Sequence, residues 1–523
     1  MNKKILITVI VFALLIAGFW FSRPSLPKNP ILPGETLNTT PNTGITSVNK
    51  SWIYEGIIYE THPYYYAGHS FKEITEQVPS LADSGVKTIY LMPVWEQPPG
   101  EGDYSLIYHI YDYYKINPAY GTPQELKELI NTAHKAGIKV LFDWVTCCTW
   151  KGTALWKMNG TFSMSLTELQ KKAKEIGWTL EYETVGTDNY VKYNCSLRNG
   201  KRFCDFGGLI AGDNVIPLQY PMVGWGFAVD KTKPEVINYF TDVTTYYVKE
   251  YDIDGWRVDA PTNNWNSEII SGDHSSQELL RKAKNEITKI KPSAVLVSEW
   301  PTIAVMEPSD NPKAAELDEE AEASYSYFFY NRIKEIVTEK KLFDILASEI
   351  ILYDRTRVRF IESHDTYQRI NAVAPQLNKP LTVLIATIPG IPMIQAGQEI
   401  GATKEYFTYP EVNWAQGNHG LKKFYETVFL TRNTNNALKY GDIKNVWKSG
   451  DNIYAYSRTY ENETAVVAIN FQEKAATSFL NLPFNAGTAL EDELSGETFV
   501  VKTPNNFEIS MPSYGSRILT IKR

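Results

Sequence analysis

The chain is poor in the residues that hold metals or grip phosphate. Of its 523 residues, seven are histidine and four are cysteine. Lys and Arg together number 52 against 60 Asp and Glu, a formal net charge of −8. That balance shows no sign of a basic face, so no nucleic-acid partner is expected. An uncharged apolar run spans Ile5 to Phe21, behind Met1-Asn-Lys-Lys. It is short for a spanning helix, and no A-x-A cleavage site follows it. Residues 1–22 are therefore expected to be a membrane anchor or signal segment, with Lys3 and Lys4 inside. The remainder is then extracytoplasmic, anchored or secreted. Residues 23–50, rich in Pro, Asn, Thr and Ser, read as a flexible linker.

From residue 51 onward strands and helices alternate. Ile57 to Tyr59, Val86 to Met92 and Ile138 to Phe142 are apolar enough to be buried strands. Between them, Ser70-Phe-Lys-Glu73 and Thr122-Pro-Gln-Glu125 are capping boxes that open amphipathic helices. Mostly apolar strands separated by such helices imply a parallel sheet covered on both faces. Four carboxylates each close an apolar strand: Asp143, Asp259, Glu299 and Asp365. The interval from Asp259 to Glu299 fits one strand–helix unit, and that from Glu299 to Asp365 fits two, with a strand near Ser324 to Phe328. The interval from Asp143 to Asp259 holds one unit plus a surplus. With Ile391 to Ile394 as the eighth strand, the count predicts a (β/α)8 TIM barrel with an inserted small domain after the third strand. In such barrels the C-terminal strand ends meet at the active site, so these carboxylates converge.

The most telling stretch is Asp254-Gly-Trp-Arg-Val-Asp259. Period-two alternation puts Arg257 and Asp259 on one face, where the guanidinium favours an ionised carboxylate. Converging carboxylates serve metal-assisted hydrolysis or glycosidic cleavage. Of the seven histidines only His364 lies beside them, which disfavours a metal site. Glycosidic cleavage needs one ionised carboxylate and one protonated carboxyl. The 33 Tyr and 13 Trp supply flat faces suited to sugar rings.

At Phe142-Asp143-Trp-Val, Gly255-Trp-Arg-Val-Asp259, Val297-Ser-Glu299 and Phe360-Ile-Glu-Ser-His364-Asp365, the chain resembles the α-amylase family, glycoside hydrolase family 13. Ile110 to Thr122 and Pro389 to Glu399 extend the likeness over almost all of residues 51–523. The resemblance implies a retaining hydrolase of α-linked glucans or maltooligosaccharides, with an oligo- or polysaccharide as its partner and no required cofactor. The alternatives are a glycosyltransferring member of the same fold and a non-catalytic, membrane-anchored sugar-binding relative. Asp259 would be the nucleophile and Glu299 the acid/base, its pKa raised so that it starts protonated. Asp365 would hold the ring hydroxyls. Arg257, His364, Tyr108, Asp143 and Asn263 would bind substrate. The implied domains are a barrel over 51–430, an inserted domain over 144–229 and a C-terminal β-sandwich over 431–523.

Two departures stand out. The family has an asparagine that helps hold a structural calcium where this chain has Cys147, with Cys148 next to it. Thr262-Asn263 replaces the usual Lys-His after Asp259. The family's calcium site is thus short of a ligand. Cys195 and Cys204 lie in the insertion, and three disulfide pairings are open. Adjacent cysteines are too close for ordinary disulfide geometry, so bonds between the third strand and the insertion are expected, in place of the metal.

Overall fold

The computed structural model describes residues 52–98, 107–198, 201–218, 226–261, 276–299, 320–327, 329–331, 333, 356–366, 368–404, 411–446 and 453–522. The run from Ile5 to Phe21, the linker and Asn263 lie outside the described residues. Among the described residues no helix is long and apolar enough to cross a membrane.

Eight parallel strands close a barrel in which every neighbour pair is hydrogen-bonded. In chain order they are Ile57–Thr61, Val86–Leu91, Lys139–Val145, Gly255–Asp259, Val295–Ser298, Ala323–Tyr325, Arg357–Arg359 and Ile391–Gln395. Strand-edge side chains are almost all buried, because barrel filling covers one face and helices the other. Ser70 and Thr122 cap their helices reciprocally with Glu73 and Glu125. From the second of these helices, Leu126, Leu129, Ile130 and Ala133 are buried, each of the larger ones contributing roughly 1.5–3 kcal/mol. Gly255 opens the fourth strand with a φ of 153°, and a Cβ there would lie 2.1 Å from Val295 O. Only glycine allows the fourth and fifth strands to approach so closely.

At the opposite end of the fourth strand from Asp259, the buried carboxylate of Asp254 takes Lys139 at 3.0 Å, Lys291 at 2.8 Å and His134 at 2.7 Å. Burial raises its pKa, but the hydrogen bond from His134 and the charge and hydrogen bond of Lys291 outweigh this and hold it well below the usual carboxylate range. This network joins the third and fourth strands at the barrel's lower rim. It leaves the upper rim free for chemistry.

The third strand runs on through Trp144 and Val145, so the insertion leaves the barrel after Val145 rather than at 144. Cys148–Thr149 pairs with Phe227–Ala228 to form its neck. Beyond the neck lies a five-stranded antiparallel sheet with a separate small core of Leu169, Val191, Tyr193 and Val215. In its long hairpin Cys195 stands directly opposite Cys204, and the two are disulfide-bonded. The expected bonds to the third strand are therefore absent, and Cys147 and Cys148 are free and buried. Hairpin register decided the pairing, and register is set by the turn and the sheet face rather than by cysteine spacing.

The last barrel helix, His419–Thr434, runs unbroken through residue 430, and the C-terminal sheet starts at Asp442 instead of 431. That sheet has six strands, and a separate two-stranded sheet, Ala476–Leu480 with Phe507–Met511, adds residues to the same core. Buried Arg432 joins the elements before it, donating to the carbonyls of Ala386, Leu438 and Gly390 at 2.8–2.9 Å.

Candidate active site

Arg257 is the hub of the upper rim. It projects from the fourth strand, almost wholly buried, over the ring of Tyr325 at 5.3 Å. Its Nη1 donates to Asp259 Oδ1 at 2.7 Å and to both oxygens of Asp143 at 3.1 Å. Its Nη2 lies 3.0 Å from Glu299 Oε2 and 3.8 Å from Asp365 Oδ2. These last two contacts are charge pairings without hydrogen-bond alignment, since Nη2 has no hydrogen-bond partner. One cation thus faces four carboxylates, brought together from the ends of the third, fourth, fifth and seventh strands.

Exposure grades across the cluster. Asp143 is fully buried, the side chain of Asp259 is 11% exposed, that of Glu299 17% and that of Asp365 34%. The cleft therefore opens over Asp365 and Glu299, with Asp259 at its floor.

The remaining contacts orient these groups. Tyr108 donates to Asp143 Oδ2 at 2.8 Å and meets His364 Nε2 at 2.6 Å, its ring stacked on the imidazole. His364 Nδ1 is 3.0 Å from Glu60 Oε2, and Nε2 is 3.3 Å from Asp365. Burial lowers the His364 pKa, but the charges of Asp365 and Glu60 outweigh that and push it up to about 9. His364 is cationic at neutral pH and offers a second positive charge.

The Tyr327 hydroxyl stands between two carboxylates, 3.0 Å from Glu299 Oε1 and 2.8 Å from Asp365 Oδ2. The backbone N–H of Ala260 donates to Glu299 Oε2 at 2.9 Å. Three residues here escaped the sequence reading. Glu60 and Tyr327 lie at strand ends, the same signal that revealed the other carboxylates. Tyr90, which donates to Asp143 Oδ2, sits within an apolar strand, where nothing distinguishes it from core.

Electrostatics distinguish the two carboxyls. Burial raises the Glu299 pKa, but the charge of Arg257 and the Ala260 N–H overcome this, and the net shift is downward. Burial pushes Asp259 well above the carboxylate range despite Arg257, and the charge of Glu299 adds to the rise. The two shifts run in opposite directions: burial and the charge of Glu299 disfavour the ionised form of Asp259, whereas Arg257 and the Ala260 N–H favour that of Glu299. Glu299 is the better served by donors, which favours its charged form.

The implied calcium does not fit what stands here. Calcium takes six to eight hard oxygen ligands. At the asparagine position the side chain is the thiol of Cys147, its Sγ 3.0 Å from Cys148 Sγ and 3.8 Å from Asp259 Oδ2. The carbonyls of Ala260 and Pro261, just after Asp259, accept from the ammonium of Lys231. A buried ammonium thus already takes the carbonyls that follow Asp259.

Comparison with known proteins agrees with this geometry. The family described as "Alpha amylase, catalytic domain" matches residues 49–161 and 228–453. The gap between the two matched segments coincides with the inserted sheet. "Maltogenic Amylase, C-terminal domain" matches residues 445–518. A cyclomaltodextrinase of Thermoanaerobacter pseudethanolicus is 26% identical over 79% of this chain and 65% of its own length. A maltogenic alpha-amylase of Bacillus acidopullulyticus is 24% identical over 77% of this chain and 63% of its own. This chain thus spans somewhat less than two thirds of those curated relatives. In fold it is similar to an alpha-amylase from Geobacillus thermoleovorans complexed with acarbose, with a TM-score of 0.65, 19% identity, and coverage of 90% of this chain and 99% of that one.

Proposed function

Because the chain belongs to the α-amylase family, we propose that it is a retaining glycoside hydrolase acting on α-linked glucans or maltooligosaccharides. The observation that carries this is the grouping of Asp259, Glu299 and Asp365 about Arg257 at the open end of the barrel. Two carboxylates held by adjacent nitrogens of one guanidinium favour the spacing of about 5 Å used by retaining enzymes over the roughly 6.5–9.5 Å that admits a water.

A sugar entering the cleft displaces water from Glu299, whose side chain is more exposed than that of Asp259, and so raises the cost of its charge. Asp259 meanwhile keeps Arg257 at 2.7 Å. Binding therefore favours the protonated form of Glu299 and the ionised form of Asp259, the distribution that the chemistry needs. The Asp259 carboxylate attacks the anomeric carbon while Glu299 protonates the departing oxygen, leaving a glycosyl ester on Asp259. Glu299 then takes a proton from water, whose oxygen attacks the same carbon and releases Asp259. Asp365, with cationic His364 beside it, binds ring hydroxyls, and Tyr108 stacks against the sugar.

Tyr327 is proposed to set the proton on Glu299. Its hydroxyl is among the groups that lower the Glu299 pKa. In Tyr327→Phe the alkaline limb of the pH–rate profile, where Glu299 loses the proton it must donate, should therefore move to higher pH, and kcat should fall about tenfold, on the order of 1.4 kcal/mol. An unmoved limb would show that Tyr327 only packs.

Chromatography of a maltooligosaccharide series after incubation tests the proposal. Shorter products are expected. Longer products would point to glycosyl transfer, and binding without turnover of any α-glucan would contradict the hydrolase reading. The disulfide between Cys195 and Cys204 supports an extracytoplasmic location, where such bonds persist.

A further inference from the structure

The backbone leaving Asp259 is clamped on both sides. Ala260 has a φ of 40°, a left-handed conformation that a residue other than glycine keeps only where its surroundings enforce it. Its N–H is tied to Glu299 Oε2 at 2.9 Å. On the other side the ammonium of Lys231 lies 3.4 Å from Ala260 O and 3.0 Å from Pro261 O, and the Ser276 hydroxyl also donates to Pro261 O.

Lys231 is 1% exposed. It follows directly on the segment by which the insertion returns to the barrel, where Val229 N–H donates to Cys147 O at 3.1 Å. The titratable groups that face it are Cys147, Asp259 and Cys148. A buried ammonium with backbone carbonyls for partners, on a segment adjoining the nucleophile, has the surroundings of a bound cation.

We propose that the Lys231 ammonium is the resident cation at the junction of barrel and insertion, beside the Cys147 that replaces the family's calcium-ligating asparagine, and that it positions Asp259 and Glu299 through the Ala260 and Pro261 carbonyls. The positioning role rests on the hydrolase reading above; independence from calcium does not.

Burial lowers the Lys231 pKa to about 8 from 10.5. A depressed lysine pKa means that the unfolded chain binds the proton more tightly. The charged form therefore costs stability at neutral pH, and the cost is relieved as pH rises from about 8 toward the unfolded value. A group that weakens the fold where it is charged is explained by what it holds in place.

Two measurements on the full chain test the proposal. Thermal unfolding of the wild type is compared in calcium chloride and in EDTA, and the same transition is recorded for Lys231→Met together with kcat and KM on a maltooligosaccharide. The wild-type midpoint is expected to be the same in both solutions. Lys231→Met is expected to unfold cooperatively, with kcat lowered tenfold or more and KM changed less than about twofold, the signature of a lost transition-state interaction rather than lost binding. A wild-type midpoint that falls in EDTA and returns with calcium would overturn the proposal, as would a folded Lys231→Met with wild-type kcat. Should Lys231→Met fail to fold, the chelator comparison still decides whether calcium is needed. If the wild type turns over no α-glucan, the hydrolase reading fails while that comparison still decides the identity of the cation.

Discussion

Asp259→Asn is expected to abolish turnover, lowering kcat by at least about 10⁴-fold, without lowering the melting temperature. Asparagine has nearly the size of aspartate, and its amide oxygen still accepts from Arg257 Nη1, which stands 2.7 Å from Asp259 Oδ1. It cannot form a glycosyl ester. The stability half of the prediction follows from linkage. Burial first, and the charge of Glu299 after it, raise the folded pKa of Asp259 well above its ordinary value. A carboxyl with a raised folded pKa binds its proton more tightly in the native state. Its contribution to stability is therefore full below the unfolded pKa and is lost as pH rises toward the folded one. The neutral amide escapes that loss, so the variant should match or exceed the wild type at neutral pH and gain on it as pH rises. Melting curves across pH, alongside kcat, check both halves. A variant that is inactive because it is unfolded would refute the assignment.

Arg257→Met should fail in the opposite way, losing both activity and stability. The guanidinium faces Asp143, Asp259 and Glu299 within 3.1 Å and is buried to 1% exposure. Removing one partner of a buried ionic cluster leaves uncompensated charge and typically costs about 3–5 kcal/mol. Its cation–π contact with Tyr325 is lost as well. Part of the cost is avoided at low pH, where the carboxyls protonate, so the deficit should widen as pH rises. Denaturant midpoints at acid and at neutral pH measure this. Equal midpoints for variant and wild type at neutral pH would show that the carboxylates are satisfied by other donors.

These two variants differ because one removes a charge that the fold resists and the other removes the charge that makes the rest tolerable. That asymmetry also explains what could be read without a structure. Asp143, Asp259, Glu299 and Asp365 were legible because barrel strands are apolar runs, and a polar group at the end of such a run has few structural reasons to be there; Arg257 followed from its alternation with Asp259, and the substrate role of His364 from family likeness. Tyr108 came from family likeness, not from any pattern. Tyr90 was illegible because a tyrosine inside an apolar strand is ordinary core until its hydroxyl is seen to meet Asp143. Glu60 and Tyr327 were legible by the same strand-end rule and were passed over.

The downward shift of Glu299 could not be read at all. It depends on the Ala260 N–H and on the reach of Arg257 Nη2 to Glu299, both of which are backbone geometry. The cysteines show the same limit. Spacing leaves three pairings open, and only the hairpin register that sets Cys195 against Cys204 selects one. Lys231 is a further case. A lysine beside an aspartate and a threonine in a polar turn looks exposed, and only the fold reveals that it is buried against the residues following Asp259.

The most direct test of the account is the configuration of the first product. Anomeric proton NMR of a maltooligosaccharide digest, followed from the earliest time points, should show the α-anomer forming first and decaying to the equilibrium mixture. That is the result of two displacements at one carbon through Asp259. A first-formed β-anomer would mean a single displacement by water, and would contradict the assignment of Asp259 as a nucleophile held beside Glu299 on one arginine.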